Sequence, residues 1–151
     1  MRIRKIANVG AIVAKVINNF LSTSATDALS AGKGKELYER TIIETVTNSN
    51  GTAIKYSDGT MIVTQKVGVS QAVTTSWHGL YVSAKSFPDF PVAFTTLYSC
   101  SLTLEGALYN AWVMTSAANT LTKAGSIYLI SAESIATFNG YVNVIAVGKW
   151  K

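Results

Sequence analysis

The stretch Gly51-Thr52-Ala53-Ile54-Lys55-Tyr56-Ser57-Asp58-Gly59-Thr60-Met61-Ile62 decides the fold class of this chain. Thr52 to Tyr56 alternates as a strand does, and Ser57-Asp58-Gly59 reads as a tight hairpin loop in which Gly59 supplies a positive φ. From Thr60 to Val69 the alternation resumes, with Met61, Val63, Val67 and Val69 on one face. Successive side chains of a strand point to opposite faces, so this spacing builds an apolar face for a core. The turn cluster Asn48-Ser49-Asn50-Gly51 stands in front of the hairpin.

Toward the C-terminus the pattern repeats. Strands are expected over 77–84, 92–98, 100–105, 108–115, 126–132 and 141–149. Turn signals separate them at Phe87-Pro88-Asp89, Glu105-Gly106, Ala117-Ala118-Asn119, Lys123-Ala124-Gly125 and Asn139-Gly140. Short strands with turns at this spacing belong to a sandwich or barrel, and an antiparallel β-sandwich head over 48–151 is expected. Three strands are apolar on both faces: Ala111-Trp112-Val113-Met114, Ile127-Tyr128-Leu129-Ile130 and Val144-Ile145-Ala146-Val147. A sandwich strand needs only one buried face, so the second calls for an outside cover, and in a head this small the natural cover is another subunit.

Toward the N-terminus the spacing is helical. Ile6, Val9, Val13, Val16 or Ile17 and Phe20 recur every three or four residues and fall on one stripe. Asn18-Asn19 ends that helix, and a Ser/Thr-rich connector occupies 21–30. A second helix is expected after Ser30, whose hydroxyl is placed to accept from the backbone N–H of Lys33 as an N-cap. Its stripe of Leu37, Tyr38, Thr41 and Ile42 suits a short coiled-coil seam. The chain thus reads as mainly β with an N-terminal α-helical stem over 1–47.

Composition bounds the function. The single cysteine, Cys100, excludes an intramolecular disulfide, and in Ser99-Cys100-Ser101-Leu102 it reads as a small buried hydrophobe. Hydrophobic residues make up 48% of the chain and charged residues 14%, against the quarter usual in a globular domain. No run of eighteen apolar residues spans a membrane. Lys15, Asn8, Asn18 and Asn19 interrupt the N-terminal apolar run, and Ser24-Ala25-Thr26 is a poor signal-peptide cleavage site. The net charge of +5 is spread over both halves, with no cluster of Lys and Arg interleaved with aromatics, so no nucleic-acid partner is expected.

Three stretches resemble the phage tail fibres and baseplate receptor-binding proteins, in particular those of phages and prophages of Gram-positive hosts. Leu21 to Leu37, with Ala28-Leu29-Ser30-Ala31 and Gly34-Lys35 followed by Leu37, is similar to the connector-and-helix motif of that family. Lys33 stands where the family has Gln, which removes the reciprocal half of a capping box. Gly51 to Ile62 resembles the opening hairpin of the family's heads, and Val144 to Lys151 their closing strand. Residues 70–140 carry no resemblance, as befits a region that varies with receptor. The resemblance implies a homotrimer, a helical stem, a distal β-rich head and attachment to a host-surface saccharide or protein. It also implies a place on the virion, at the distal tail fibre or baseplate, joined to an upstream tail-fibre or baseplate protein.

The chemistry points to binding rather than catalysis. Sugar recognition favours exposed aromatic faces beside amides and hydroxyls, because pyranose C–H surfaces stack on π-systems while their hydroxyls need partners. Trp77, Tyr81, Tyr98, Tyr109 and Trp112 are the candidate aromatics, with Asp89, Asn110 and Asn119 as polar neighbours. Each aromatic also fits a core position, and Trp150 fits packing alone. Glycoside hydrolysis needs two carboxylates flanking the bond. Asp89 with Glu105 or Glu133 could supply them across a trimer interface, but their spacing gives no support and surface carboxylates are the ordinary reading, so no enzyme is expected. His78 reads as a structural histidine, and no metal or cofactor is expected. Two other readings stand beside the attachment head: a structural trimerisation tip, and a polysaccharide depolymerase.

Overall fold

β-Branched residues crowd the chain from Thr41 onward, and strands take over there. The structure, a computed structural model, describes residues 16–17, 21, 23, 28–39, 41–106 and 111–151. The chain divides into two units, residues 1–40 and 41–151.

In the first unit a two-residue strand β1 (Val16–Ile17) pairs in parallel with β2 (Ala28–Leu29), ahead of a helix α1 (Ala31–Glu39). The rest of the expected first helix lies outside the described residues. Ser30 caps α1 as its sequence requires: Lys33 N donates to Ser30 Oγ at 3.2 Å and Gly34 N to Ser30 O at 2.9 Å. Lys33 turns its ammonium forward to Glu36, 2.6 Å away, in the role a capping-box residue would not fill. The helix ends at Glu39 and does not run on toward 47. Thr41, Ile42, Ile43, Thr45, Val46 and Thr47 lose side-chain freedom in a helix and fit a pleated sheet, so the expected helical stripe breaks after Tyr38.

The second unit is two antiparallel sheets. The first contains β3 (Ile42–Asn48), β4 (Gly51–Tyr56), β5 (Thr60–Val73), β8 (Thr96–Gly106) and β11 (Ile135–Lys149), in the order β3-β4-β5-β11-β8. The second contains β6 (Thr75–Trp77), β7 (Leu80–Lys85), β9 (Ala111–Thr115) and β10 (Ile127–Ser131), in the order β6-β7-β10-β9. Met61, Val63, Val69, Val142, Val144 and Ala146 of the first sheet join Ile127 and Leu129 of the second in one buried cluster. At roughly 1.5–3 kcal/mol for each large apolar side chain taken out of water, this cluster dominates the stability of the unit.

The opening hairpin forms as expected. Gly59 N donates to Tyr56 O at 3.0 Å, and Gly59 takes φ 88°. Asp58 locks the turn by accepting from Thr60 N at 2.7 Å and from Thr60 Oγ1 at 2.9 Å. The C-terminus closes over it: the Trp150 indole donates to Tyr56 O, Lys149 Nζ to Asp58 O and Lys151 Nζ to Ser57 O.

Three segments depart from the sequence reading. The expected strand over 77–84 is a hairpin, because His78 (φ 49°) and Gly79 (φ 82°) form a two-residue turn positive at both central positions, as a type I′ connection demands. Residues 86–95 carry no strand, since Pro88 and Pro91 offer no N–H to a ladder. This segment instead drives Phe87, Phe90 and Phe94 into the core, with Phe90 and Phe94 edge to face at 5.3 Å. The strand expected to begin at Cys100 starts at Thr96.

Asn139-Gly140 is not a turn but the interior of β11, where Asn139 pairs with Ser70 and Gly140 with both Val69 and Gly106. The buried Phe138 ring accounts for both glycines. A Cβ on Gly140 would meet Glu105 O at 2.5 Å and the ring at 2.8 Å, and one on Gly106 would meet the ring at 2.6 Å. Gly68, by contrast, faces open space, with nothing within 4 Å of a Cβ built there. Gly140→Ala is therefore expected to lower unfolding free energy by about 1–3 kcal/mol through overpacking. Gly68→Ala should leave it unchanged or raise it by up to about 1 kcal/mol. Urea denaturation of the two variants measures the contrast.

Candidate functional site

Strand periodicity gives the two sheets chemically different outer faces. On the four-stranded sheet, Thr75, Val82, Ile130 and Trp112 stand in one row across the strands, flanked by a second row of Ala84, Tyr128 and Met114. Trp77 and Leu80 pair beyond them at the β6–β7 turn. Trp112 is 44% exposed, Trp77 41%, Met114 40% and Tyr128 38%. This is the apolar second face anticipated for two of the three doubly apolar strands. The third, Val144 to Val147, turns Ile145 outward from the five-stranded sheet, where it is 52% exposed between Thr64 and Ser101.

Ile54, Ile62 and Val147 form an apolar row on the same outer face, and the face turns polar toward its other end, which is a cleft. Gly68 of β5, Tyr141 of β11 and Glu105 of β8 stand opposite one another in a single row. With Val69, Ser70, Lys85, Gly106, Asn139 and Gly140 they line a cleft of about 860 Å³. Tyr141 is 46% exposed, and the Lys66 ammonium lies 4.4 Å from its ring centroid. Glu105 accepts from Lys66 Nζ at 3.0 Å and from Asn143 Nδ2 at 2.9 Å. The Asn143 amide, then the Lys66 hydrogen bond and charge, hold the Glu105 carboxyl below its ordinary value of 4.5.

The sequence-derived candidates scatter. Trp77 and Trp112 share the apolar outer face, with the His78 ring edge-on to Trp77 at 5.3 Å. Tyr81 points inward and packs against the core cluster. Asp89 is exposed in the 86–95 segment, and its backbone carbonyl accepts from Gln65 Nε2 at 3.0 Å. Asn119 spends its side-chain oxygen on Gly125 N at 2.8 Å, which holds the 116–125 loop. It also lines a second cleft with Tyr98, which is 63% exposed on the edge strand β8. Tyr109 and Asn110 lie outside the described residues. Cys100 is half-buried against the core, and burial raises its thiol pKa, in keeping with a small hydrophobe.

Tyr141, Asn139 and Lys85 do not figure as site residues in the sequence reading, and Glu105 figures there only as a possible catalytic carboxylate; reading Asn139-Gly140 as a turn hides the strand that brings Tyr141 beside Glu105. The signal was present: continuing the alternation of Ile145 and Asn143 back one step puts Tyr141 on the outer face.

A carboxyl with a depressed folded pKa stabilises the fold above its ordinary value, and that contribution is lost as pH falls through the folded value. Glu105 is therefore expected to titrate below 4.5 in carboxyl-resolved NMR. The wild-type urea midpoint should fall more steeply than that of Glu105→Gln as pH drops from about 5 to about 3.

No family model matches the chain, and no curated protein matches it. Among solved structures, the chain is similar to a C-terminal portion of the Pseudomonas aeruginosa R1 pyocin fiber at 16% identity and a TM-score of 0.48. It is likewise similar to an N-truncated R1-type pyocin tail fiber at 16% identity and a TM-score of 0.49. Each likeness covers 80% of this chain, and it spans 32% of the first structure's length and 98% of the second's.

Proposed function

We propose that this chain is the stem and head of a phage or prophage tail fibre, which assembles as a homotrimer and attaches its particle to a host-surface saccharide. The contrast between the apolar outer face of the four-stranded sheet and the polar cleft end of the five-stranded one carries the reading. An apolar face set with two tryptophans is costly to leave in water, since each such side chain gains roughly 1.5–3 kcal/mol on full burial. It suits contact with further copies of the chain. The polar face, with an aromatic ring beside amide, hydroxyl and charged groups, suits a sugar. The resemblance of the connector, the opening hairpin and the closing strand to tail-fibre receptor-binding proteins supports the same reading.

Attachment requires binding without bond cleavage. The carboxylate that lines the cleft is consistent with a binding role: Glu105 is held by Lys66 and Asn143. The stem joins an upstream tail-fibre or baseplate protein, and the head works outside the cell at the distal end of the particle. A host-surface protein in place of a saccharide would use the same polar face.

Sedimentation and light scattering are expected to give three times the 16.1 kDa chain mass. Trp112→Lys, which would set an unpaired charge into the contact at a cost of about 1–3 kcal/mol per copy, is expected to shift the population toward monomer. The fluorescently labelled trimer should adsorb to host cells. A monomeric wild type would remove the assembly half of the proposal. A chain lacking 48–151 that still adsorbs would move the receptor contact elsewhere and leave the head a structural tip.

A further inference from the structure

The row Gly68–Tyr141–Glu105 has features that an ordinary strand surface lacks. Gly68 leaves the row hollow beside an aromatic ring, because nothing fills the space its side chain would take. The Lys66 ammonium sits over the Tyr141 ring, yet Tyr141 lines the cleft and Lys66 does not. The cation thus braces the ring from outside the lining. Within the lining, Ser70 Oγ donates to Asn139 Oδ1 at 2.8 Å, which orients the amide and leaves its two N–H donors without a partner among the described residues. Glu105 keeps acceptor capacity beyond its two bonds, since an ionised carboxylate takes about four.

Lys85 sets the charge. It lines the cleft, and no carboxylate among the described residues pairs with it. Lys66 pairs with Glu105 from outside the lining, so Lys66, Lys85 and Glu105 together leave one net positive charge at the cleft. A cleft of about 860 Å³ falls within the roughly 300–1,000 Å³ typical of small-ligand sites.

We propose that this cleft binds a saccharide unit bearing a carboxylate or phosphate group. Its ring C–H face lies on Tyr141, its hydroxyls meet Asn139, Ser70 and Glu105, and its anionic group faces Lys85. The assignment rests on the attachment reading above and adds to it a location and a ligand charge. The physical ground for selectivity is that charge-assisted hydrogen bonds are about twice as strong as neutral ones, so the anionic group decides among sugars of similar shape.

The test uses the full chain on an array of neutral, carboxylated and phosphorylated oligosaccharides, with titration calorimetry on the best binder of each class. Binding is expected to be confined to the acidic classes, and the two acidic arms report which group is preferred. Gly68→Val should fill the hollow and abolish binding with the unfolding midpoint retained, and Tyr141→Ala should abolish it independently. Lys85→Gln should weaken acidic binding by about tenfold or more and flatten its salt dependence. An array without binders, neutral sugars bound as well as acidic ones, or affinity that survives Gly68→Val each overturns the assignment. Cell adsorption separates the two proposals: a Gly68→Val chain that adsorbs like wild type sinks the cleft alone, whereas a wild type that adsorbs to no host sinks the attachment reading.

Discussion

The pairing of β5 with β11 runs from Thr60 opposite Lys149 to Val73 opposite Ile135, and the arrangement of the head depends on it. It joins positions 89 residues apart at its open end, so chain entropy opposes it until much of the core has formed. Its register admits no slip. A shift by one residue would send Met61, Val63, Val142 and Val144 to solvent and bring Thr64, Lys66 and Asn143 into the core. At its open end Lys149, Trp150 and Lys151 fasten onto the carbonyls of the Tyr56–Asp58 turn. On the other side of β11, the Phe138 ring over the paired glycines 106 and 140 fixes β11 against β8.

The same register creates the surface chemistry. With Val142 and Val144 committed inward, Tyr141 and Asn143 must face out, opposite Gly68 and Glu105 for the first and Lys66 and Thr103 for the second. The cleft is thus the outer side of the ladder that holds the core. Magnitudes separate the two roles. An exposed ion pair such as Lys66–Glu105 contributes about 0–1 kcal/mol to stability, whereas each large core side chain contributes several times as much. The polar network on that face matters for presenting groups at fixed positions more than for holding the fold.

Local chemistry was legible wherever a residue type satisfies its own neighbourhood. Ser30 reads as a cap, Asp58-Gly59 as a turn, and Thr60 to Val69 as an alternating strand, because each depends on contacts a few residues away. The apolar second faces of β9 and β10 were legible too, since period-two alternation needs only the sequence. Asn139-Gly140 misled for the same reason: taken locally it is a turn signal, and only the Phe138 ring, packed against Gly106 from another strand, explains why glycine stands there. His78-Gly79 carried a hairpin that Trp77 and Leu80, both apolar, disguised as continuous strand.

The candidate site shows the limit most clearly. Aromatic residues were identifiable as a class, yet Tyr81 went to the core, Trp77 and Trp112 went to the apolar face, and the ring placed beside amides and the Lys85 ammonium was Tyr141. Sequence alone determined that the chain would form antiparallel strands, that a hairpin would turn at Ser57-Asp58-Gly59, and that more apolar surface existed than one core could use. Only the tertiary structure decided which polar groups meet. Tyr141, Gly68 and Glu105 lie on three separate strands, and what brings them into one row is the register enforced by core packing, a property no local stretch of sequence contains.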